Sequence, residues 1–316
     1  MQCMEVWGGN RAITTEISTL GLDAWLTSRP YVAEASPPPT QTTSGGDIHY
    51  ATSCATGRIT RLLLADVAGH GEAAADAARA VRRLLGDYAN YVDQTQFVGA
   101  VNRHFHDLGE RTAGLFATAV VTTFFSPTDE LAICNAGHPP PLHYTAATKT
   151  WSHVEPERSS GSPNNLPLGV DSDAPYLQTT MRMQPGDIVV LYTDALGEAH
   201  SPEGAMLGFD GLLEVARTLV FDDASQITDR LLRAIDVHRT GGGAIECPPF
   251  DDDVTVLVIC RNGTRPTSSL MLGAKSAYRV LGRAVATIVR ERRVPPLPEL
   301  TLQNLLGPFF DRFNYR

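Results

Sequence analysis

The residues best suited to chemistry are Asp47, Asp66, Asp194 and the run Asp251-Asp252-Asp253. Asp66 closes the apolar run Leu62-Leu63-Leu64-Ala65, and Asp194 closes the run from Ile188 to Tyr192. The aspartate triplet comes just before Val254 to Cys260, and Asp47 just before Ile48 to Ser53. A carboxylate at the mouth of a buried strand is held rigidly while its oxygens face a crevice. Several such carboxylates without balancing lysines repel one another and raise their own pKa values. A divalent cation removes that cost, and an all-oxygen donor set favours Mg²⁺, Mn²⁺ or Ca²⁺ over zinc. Any one of these aspartates also reads as a turn or helix cap. Their shared place at strand ends is what points to a metal centre.

The elements that must position them follow from periodicity. Ile48 to Ser53 and Arg58 to Ala65 read as strands around Ala55-Thr56-Gly57. Glu72 to about Ala89 is alanine-rich and helical, and Gln96 to Leu108 is a second helix. His104 and His106 lie two apart in it, on different faces, which argues against a shared metal. Leu115 to Phe125 and Glu130 to Asn135 form a hairpin, as do Leu142 to Tyr144 and Trp151 to Val154. Leu177 to Met183 and Asp187 to Tyr192 flank Gln184-Pro185-Gly186. Helices at about Gly211 to Val220 and Ser225 to His238 precede the last strand, Val254 to Cys260. Strand following strand through short turns predicts mostly antiparallel sheets, and the grouped helices predict an α+β fold. Residues 1 to about 30 add an edge strand to the main sheet, and Pro37-Pro38-Pro39 opens a surface loop.

Composition excludes several classes. The chain has 316 residues, is 43% hydrophobic and 19% charged, and carries a net charge of −9, the wrong sign for a general nucleic-acid binder. No apolar run spans a bilayer, and no secretory leader is evident. Cys3, Cys54, Cys134, Cys247 and Cys260 are scattered, with no CxxC pair, so a reduced cytoplasmic setting is expected.

Seven stretches, in order, carry a resemblance. They are Gly45-Gly46-Asp47; Ala65-Asp66-Val67-Ala68-Gly69-His70-Gly71; Phe116-Ala117-Thr118; Asn135-Ala136-Gly137-His138-Pro139-Pro140-Pro141; Leu166-Pro167-Leu168-Gly169; Leu191 to Ala199; and Asp252-Asp253-Val254-Thr255-Val256. In joint order and spacing the chain resembles the metal-dependent protein phosphatases of the PPM family, type 2C-like, and most closely their bacterial SpoIIE-type branch. The resemblance implies a four-layer α-β-β-α sandwich over residues 1–262, followed by a C-terminal helical extension, 263–316. It implies two Mn²⁺ or Mg²⁺ ions: Asp66 bridging them, Val67 lending its backbone carbonyl, Asp194 and Asp252 completing one shell, and Asp47 near the second ion through water. Asp253 ranks behind Asp252. Two ions about 4 Å apart generate a hydroxide from bound water and neutralise phosphoryl oxygens. The expected reaction is direct hydrolysis of phosphoserine or phosphothreonine, with Asp66 and Asp194 acting through the metal-activated water. The implied substrate is a phosphorylated protein of the anti-sigma-factor-antagonist type, in a partner-switching circuit. The alternative is a non-catalytic pseudophosphatase that binds phosphoproteins.

The sequence departs from the family pattern at four places. Ile48-His49-Tyr50 follows Asp47 where the branch carries a further acid, and Ala195 replaces the glycine after Asp194. Ala68 stands where type 2C enzymes place a histidine; His70 is nearby. No phosphate-binding arginine stands out, and Arg58 and Arg61 read as solvated. His138 reads as a shaper of its proline-rich turn. The helix after Gly71 is the expected regulatory element. In the extension, Leu272, Val280, Leu281, Ala284 and Ile288 form an apolar stripe opposite a basic face, suited to a dimer mate, a regulator, an acidic membrane surface or the protein's own core.

Overall fold

The computed structural model describes residues 5–6, 12–31, 46–53, 57–69, 72–89, 91, 93–109, 114–155, 164–242 and 250–264. Residues 265–316, which hold nearly all of the expected C-terminal extension, together with His70 and the proline-rich segment at 37–39, lie outside the described residues.

The strands are β1 (Glu5–Val6), β2 (Ile13–Ser18), β3 (Leu22–Arg29), β4 (Asp47–Ser53), β5 (Ile59–Val67), β6 (Ala117–Phe125), β7 (Glu130–Ala136), β8 (Leu142–Thr145), β9 (Thr150–His153), β10 (Thr179–Arg182), β11 (Ile188–Tyr192) and β12 (Val254–Arg261). The helices are α1 (Glu72–Tyr88), α2 (Gln94–Asp107), α3 (Gly208–Thr218) and α4 (Ile227–Thr240). The strands form two six-stranded sheets, ordered β1-β4-β5-β6-β7-β10 and β2-β3-β12-β11-β8-β9. Their strand pairs are antiparallel.

Side-chain alternation along each strand builds the layers. On β5, Leu63, Ala65 and Val67 face α1 and α2, joined by Ala77, Val81, Leu85, Phe97 and Val101. Leu62 and Leu64 face the other way, onto Leu26, Val189, Leu191, Leu257 and Ile259 of the second sheet. The outer face of that sheet, through Val190, Tyr192, Val256 and Val258, packs on Leu212, Ala216, Leu231 and Ile235 of α3 and α4. The result is an α-β-β-α sandwich, an α+β fold. Burying each large apolar side chain contributes about 1.5–3 kcal/mol. β5 supplies Leu62, Leu63 and Leu64, all at most 1% exposed. α2 starts where Asp93 Oδ1 accepts from the backbone N–H groups of Thr95 and Gln96, a cap contributing about 1 kcal/mol.

One expectation is corrected, and one turn is assigned. The N-terminal region supplies more than an edge strand, because β3 lies inside the second sheet, between β2 and β12. The Gln184-Pro185-Gly186 turn does not close a hairpin: β10 pairs with β7 in one sheet, β11 with β12 and β8 in the other. The turn carries the chain from sheet to sheet, because both faces of β11 are apolar and need a partner layer on each side.

Candidate metal centre

At one end of the sandwich the layer between the sheets changes from apolar to polar without a break in alternation. Along β5 the inward positions run Leu62, Leu64, Asp66; beyond β11 they run Leu191, Thr193; and along β12, read backward, they run Leu257, Thr255, Asp253. Asp47 and Asp66 are directly paired on β4 and β5, so their side chains share a face. Each strand thus delivers an acid or a hydroxyl to the same end.

Asp47 is 2% exposed. Its Oδ2 accepts from the hydroxyls of Thr255 at 2.5 Å and Thr193 at 3.1 Å. The Thr255 hydroxyl lies 2.9 Å from that of Ser28, extending the chain of hydroxyls to β3. Asp253 is buried and turned inward: Oδ1 accepts from the Tyr31 N–H at 2.7 Å, Oδ2 from the Asp47 N–H at 3.4 Å. Asp252 is exposed, with Oδ1 accepting from the Asp253 N–H at 2.7 Å. Asp194 opens a short 3-10 turn, Asp194–Leu196, at the mouth of β11. Val67 is buried, and its carbonyl lies toward Gly46. A side chain on Gly46 would stand 2.8 Å from that carbonyl and 2.9 Å from Asp66 Oδ1. Only glycine lets the chain before Asp47 pass this close to the Asp66 carboxylate.

The electrostatics are one-sided. Burial raises Asp66 to about 8, reinforced by Asp194, Asp252, Asp253 and Glu198. Asp194 rises to about 6 through burial, Glu198 and Asp252. Asp47 is raised well above the usual carboxylate range by burial and then by Asp66; the Thr255 and Thr193 hydroxyls pull the other way. The charged groups that dominate all three shifts are carboxylates. Such a donor set fits a hard divalent cation, whose charge would replace protons on these groups. Among the described residues no three His, Cys, Asp or Glu side chains close a ligand shell by themselves. Mg²⁺ retains several waters and needs few protein ligands.

The remaining sequence candidates fall as follows. Ala68 donates its N–H to the Phe116 carbonyl at 3.0 Å. Tyr50, where the branch carries an acid, faces the helices with the α1–α2 core, away from Asp66. His49 takes the inward position, buried and lowered to about 4 by desolvation and then by Arg82. Ala195 is buried in the turn after Asp194. His104 stacks on Tyr88, remote from the acids in chain and element. The solvated reading of Arg58 and Arg61 is wrong. Both are buried, and Arg61 donates to the Thr123 hydroxyl and the Tyr91 carbonyl beneath the Phe97 ring. Arg61 lies five residues before Asp66 on β5, toward its opposite end, so it serves packing rather than the acids.

Sequence reasoning left out Glu198. Its N–H donates to the Asp194 carbonyl at 2.9 Å, and its charge raises both Asp66 and Asp194. Its spacing of four from Asp194 was the available signal. Glu198 also lines a hollow of about 220 Å³ with Ala195, Arg239, Phe250, Asp251 and Asp252. Arg239 is committed there to Asp236, at 3.2 Å, and to the face of Phe250.

Comparison with known proteins agrees with this architecture. A 92-residue stretch is 25% identical to the phosphoserine phosphatase RsbU of Bacillus subtilis, covering 29% of this chain and 25% of that protein. The match therefore spans about a quarter of that relative's length. The structure of the RsbU and RsbW domains of Rv1364c from Mycobacterium tuberculosis superposes with a TM-score of 0.59 at 24% identity, over 88% of this chain and 72% of that one. RsbX in complex with magnesium superposes with a TM-score of 0.52 at 13% identity, over 78% of this chain and 99% of that one. These likenesses show a shared fold. The sequence profile of the family described as Stage II sporulation protein E (SpoIIE) matches residues 56–262, more than half of the 316 residues, and it includes Asp66, Asp194, Asp252 and Asp253. The chain belongs to the SpoIIE family.

Proposed function

We propose that this chain is a metal-dependent serine/threonine phosphoprotein phosphatase. The observation that carries the reading is the convergence of Asp47, Asp66, Asp194, Asp252 and Asp253 from both sheets, with carboxylates dominating the field around them. A fold with no use for a cation gains nothing from such repulsion. Membership of a metal-dependent family and the phosphoserine phosphatase activity of RsbU support it.

Asp66, Asp194 and Asp252, with the Val67 carbonyl, would hold the metal, which is Mn²⁺ or Mg²⁺ and present as two ions. Asp47 and Asp253 lie behind them: Asp47 is fixed by two threonine hydroxyls, Asp253 by two backbone N–H groups. When bound, the ions would supply an activated water and neutralise phosphoryl charge. The protein's own part is to hold the carboxylates rigid and close together, ready to ionise onto a cation, so that a phosphoseryl side chain meets a preset geometry. The substrate is a small phosphorylated protein of the anti-sigma-factor-antagonist type; the resemblance to RsbU and to the Rv1364c RsbU–RsbW structure supports this class.

The test is hydrolysis of a phosphoseryl peptide with Mn²⁺, Mg²⁺ or no metal, alongside calorimetric titration of the metal-free protein. Turnover that needs Mn²⁺ or Mg²⁺ is expected. No turnover with either ion, together with retained binding of the phosphopeptide, would establish the pseudophosphatase alternative instead.

A further inference from the structure

The segment Asn135 to Pro141 stands out in the sequence and is not used by the proposed metal centre. It leaves β7 at the acidic end, crosses between the sheets and enters β8. Its residues are fixed one by one. The Asn135 side chain accepts from the His138 N–H at 2.7 Å and donates to the carbonyls of His138 and Pro139, at 2.9 and 3.3 Å. Gly137 has φ +68°, and a side chain there would stand 2.5 Å from the Pro167 ring. The Tyr192 hydroxyl donates to the Pro140 carbonyl at 2.8 Å. A loop braced this heavily holds a titratable side chain inward, that of His138, which is 6% exposed.

His138 and its loop reach both sheets. Its Nδ1 lies 2.8 Å from the Thr118 hydroxyl, and Thr118 is the direct cross-strand partner of Asp66. Its Nε2 is buried without a hydrogen-bond partner, and the tie to β11 is made by the loop, where the Tyr192 hydroxyl, two residues before Asp194, holds the Pro140 carbonyl. Burial lowers the His138 ring to about 3, so the imidazole is neutral at physiological pH. A buried neutral ring hydrogen-bonded to Thr118 and braced by its own loop suits a rigid strut.

Such a strut answers a physical need. Asp66 belongs to one sheet and the Asp194 turn to the other. The apolar layer between the sheets attracts without direction, so it cannot set the spacing of two carboxylates to a fraction of an ångström. Directional contacts at the end of the layer can.

We propose that His138 is a positioning residue for the metal centre: through the Thr118 hydroxyl on one sheet and, by way of its loop and the Tyr192–Pro140 hydrogen bond, the end of β11 on the other, it fixes Asp66 relative to Asp194. This rests on the reading of those carboxylates as metal ligands.

The test uses the full chain and Mn²⁺ alone, by calorimetry, with thermal melting of each metal-free variant. Thr118→Val keeps the shape and removes the hydroxyl; Thr118→Ser keeps the hydroxyl. Thr118→Val should weaken Mn²⁺ binding about 10- to 100-fold, the usual range for a partner one step behind a ligand, with melting little changed. Thr118→Ser should stay within about threefold of wild type, and His138→Asn should add little on top of Thr118→Val, because the two act as one unit. Wild-type affinity in Thr118→Val, or equal loss in Thr118→Ser, overturns the positioning role while leaving the metal reading intact. A wild-type protein that takes up no Mn²⁺ overturns the metal reading, and the positioning role with it.

Discussion

The two ends of the inter-sheet layer treat buried charge in opposite ways. At the end formed by the β2–β3 and β6–β7 turns, Arg261 is 1% exposed and donates from Nε and Nη2 to Asp129 Oδ1, at 3.0 and 2.6 Å. Its Nη1 donates to the carbonyls of Gly21 and Thr264, both at 3.1 Å, and the guanidinium lies over the Phe124 ring. Arg261 and Asp129 neutralise each other there, and the buried Asp187 nearby is held by the Ala146 and Gln184 N–H groups, which closes that end. At the other end Asp47, Asp66 and Asp194 face further carboxylates, and their protons are held unusually tightly. The strands are the same; β5, β6 and β12 each run from one end to the other. What differs is whether the sequence supplies a counter-charge. Where it does, the charge ties loops together. Where it does not, the fold is left to be completed by a cation from outside.

The largest expected effect comes from Asp66→Asn, which removes the acid that both readings of the site depend on. Turnover should fall by at least about a thousandfold, and Mn²⁺ titration should lose its heat. Metal-free stability should respond differently. Near pH 7 the folded wild type must keep a proton on this carboxyl, held up at about 8, that the unfolded chain has already released, a cost the amide lacks, so the variant should already melt higher than wild type there, the gap closing toward pH 4. At pH 9 the variant should still melt higher than wild type. A variant that is less stable at pH 9 would break the contrast between the two ends.

Arg261→Met probes the closed end. It strands Asp129 in the interior without its partner, at a cost of about 3–5 kcal/mol. Denaturant unfolding should show that loss, with Mn²⁺ affinity within about twofold of wild type because the site lies at the far end of β12. Adding Asp129→Asn should recover part of it, since asparagine tolerates the φ of +60° at this position. Weakened metal binding in the single variant would show that the two ends are coupled.

Much of this contrast was open to sequence reading, and some of it was not. Asp66 and Asp194 were legible because an acid after four or five apolar residues has few uses in a buried strand. The two helices after Gly71 were legible from their periodicity. The assignment of β10 and β11 to different sheets was not: Pro185-Gly186 makes a turn whether the next strand pairs back or crosses over. Burial of Arg61 was hidden because its partners, Thr123, Tyr91 and Phe97, and the acid that acts on it, Asp93, are about 30 to 60 residues away in the chain. The pairing of Arg261 with Asp129 is longer in range still. Glu198 was visible in the motif but not its field, which depends on the turn that brings it back toward Asp194.

Proton linkage gives a graded test. Asp66 and Asp194 have folded-state pKa values raised to about 8 and about 6, above an unfolded value near 3.8. Below about pH 4 both states are protonated and neither group matters. Between there and pH 8 the folded protein binds more protons than the unfolded chain, so stability falls as pH rises. In chelator the melting temperature should therefore drop between pH 5 and pH 8.5, by several degrees at about 2–4 °C per kcal/mol. Saturating Mn²⁺ should flatten or reverse the slope, because the cation favours the ionised form. A chelated protein whose melting temperature climbs across this range would show that the acids are already compensated.

The smallest expected effect lies in the hydroxyls that hold Asp47. Thr255 donates to its Oδ2 at 2.5 Å, Thr193 to the same oxygen at 3.1 Å, and both pull its pKa down against burial and Asp66. Thr255→Val keeps the volume and removes the closer donor. A protonated Asp47 loses one neutral hydrogen bond, so metal-free melting at pH 6 should change by about 1 kcal/mol or less. An ionised Asp47 loses a charge-assisted bond, about twice as strong. Cation binding asks these carboxylates to ionise together, so the difference should appear as Mn²⁺ affinity weakened about fivefold, measured by calorimetry. At the closed end no comparable split exists, because Arg261 keeps Asp129 satisfied with or without Mn²⁺. Equal losses in stability and in affinity for Thr255→Val would mean that Asp47 is already ionised without metal, and the acidic end would then be less unbalanced than its neighbours imply.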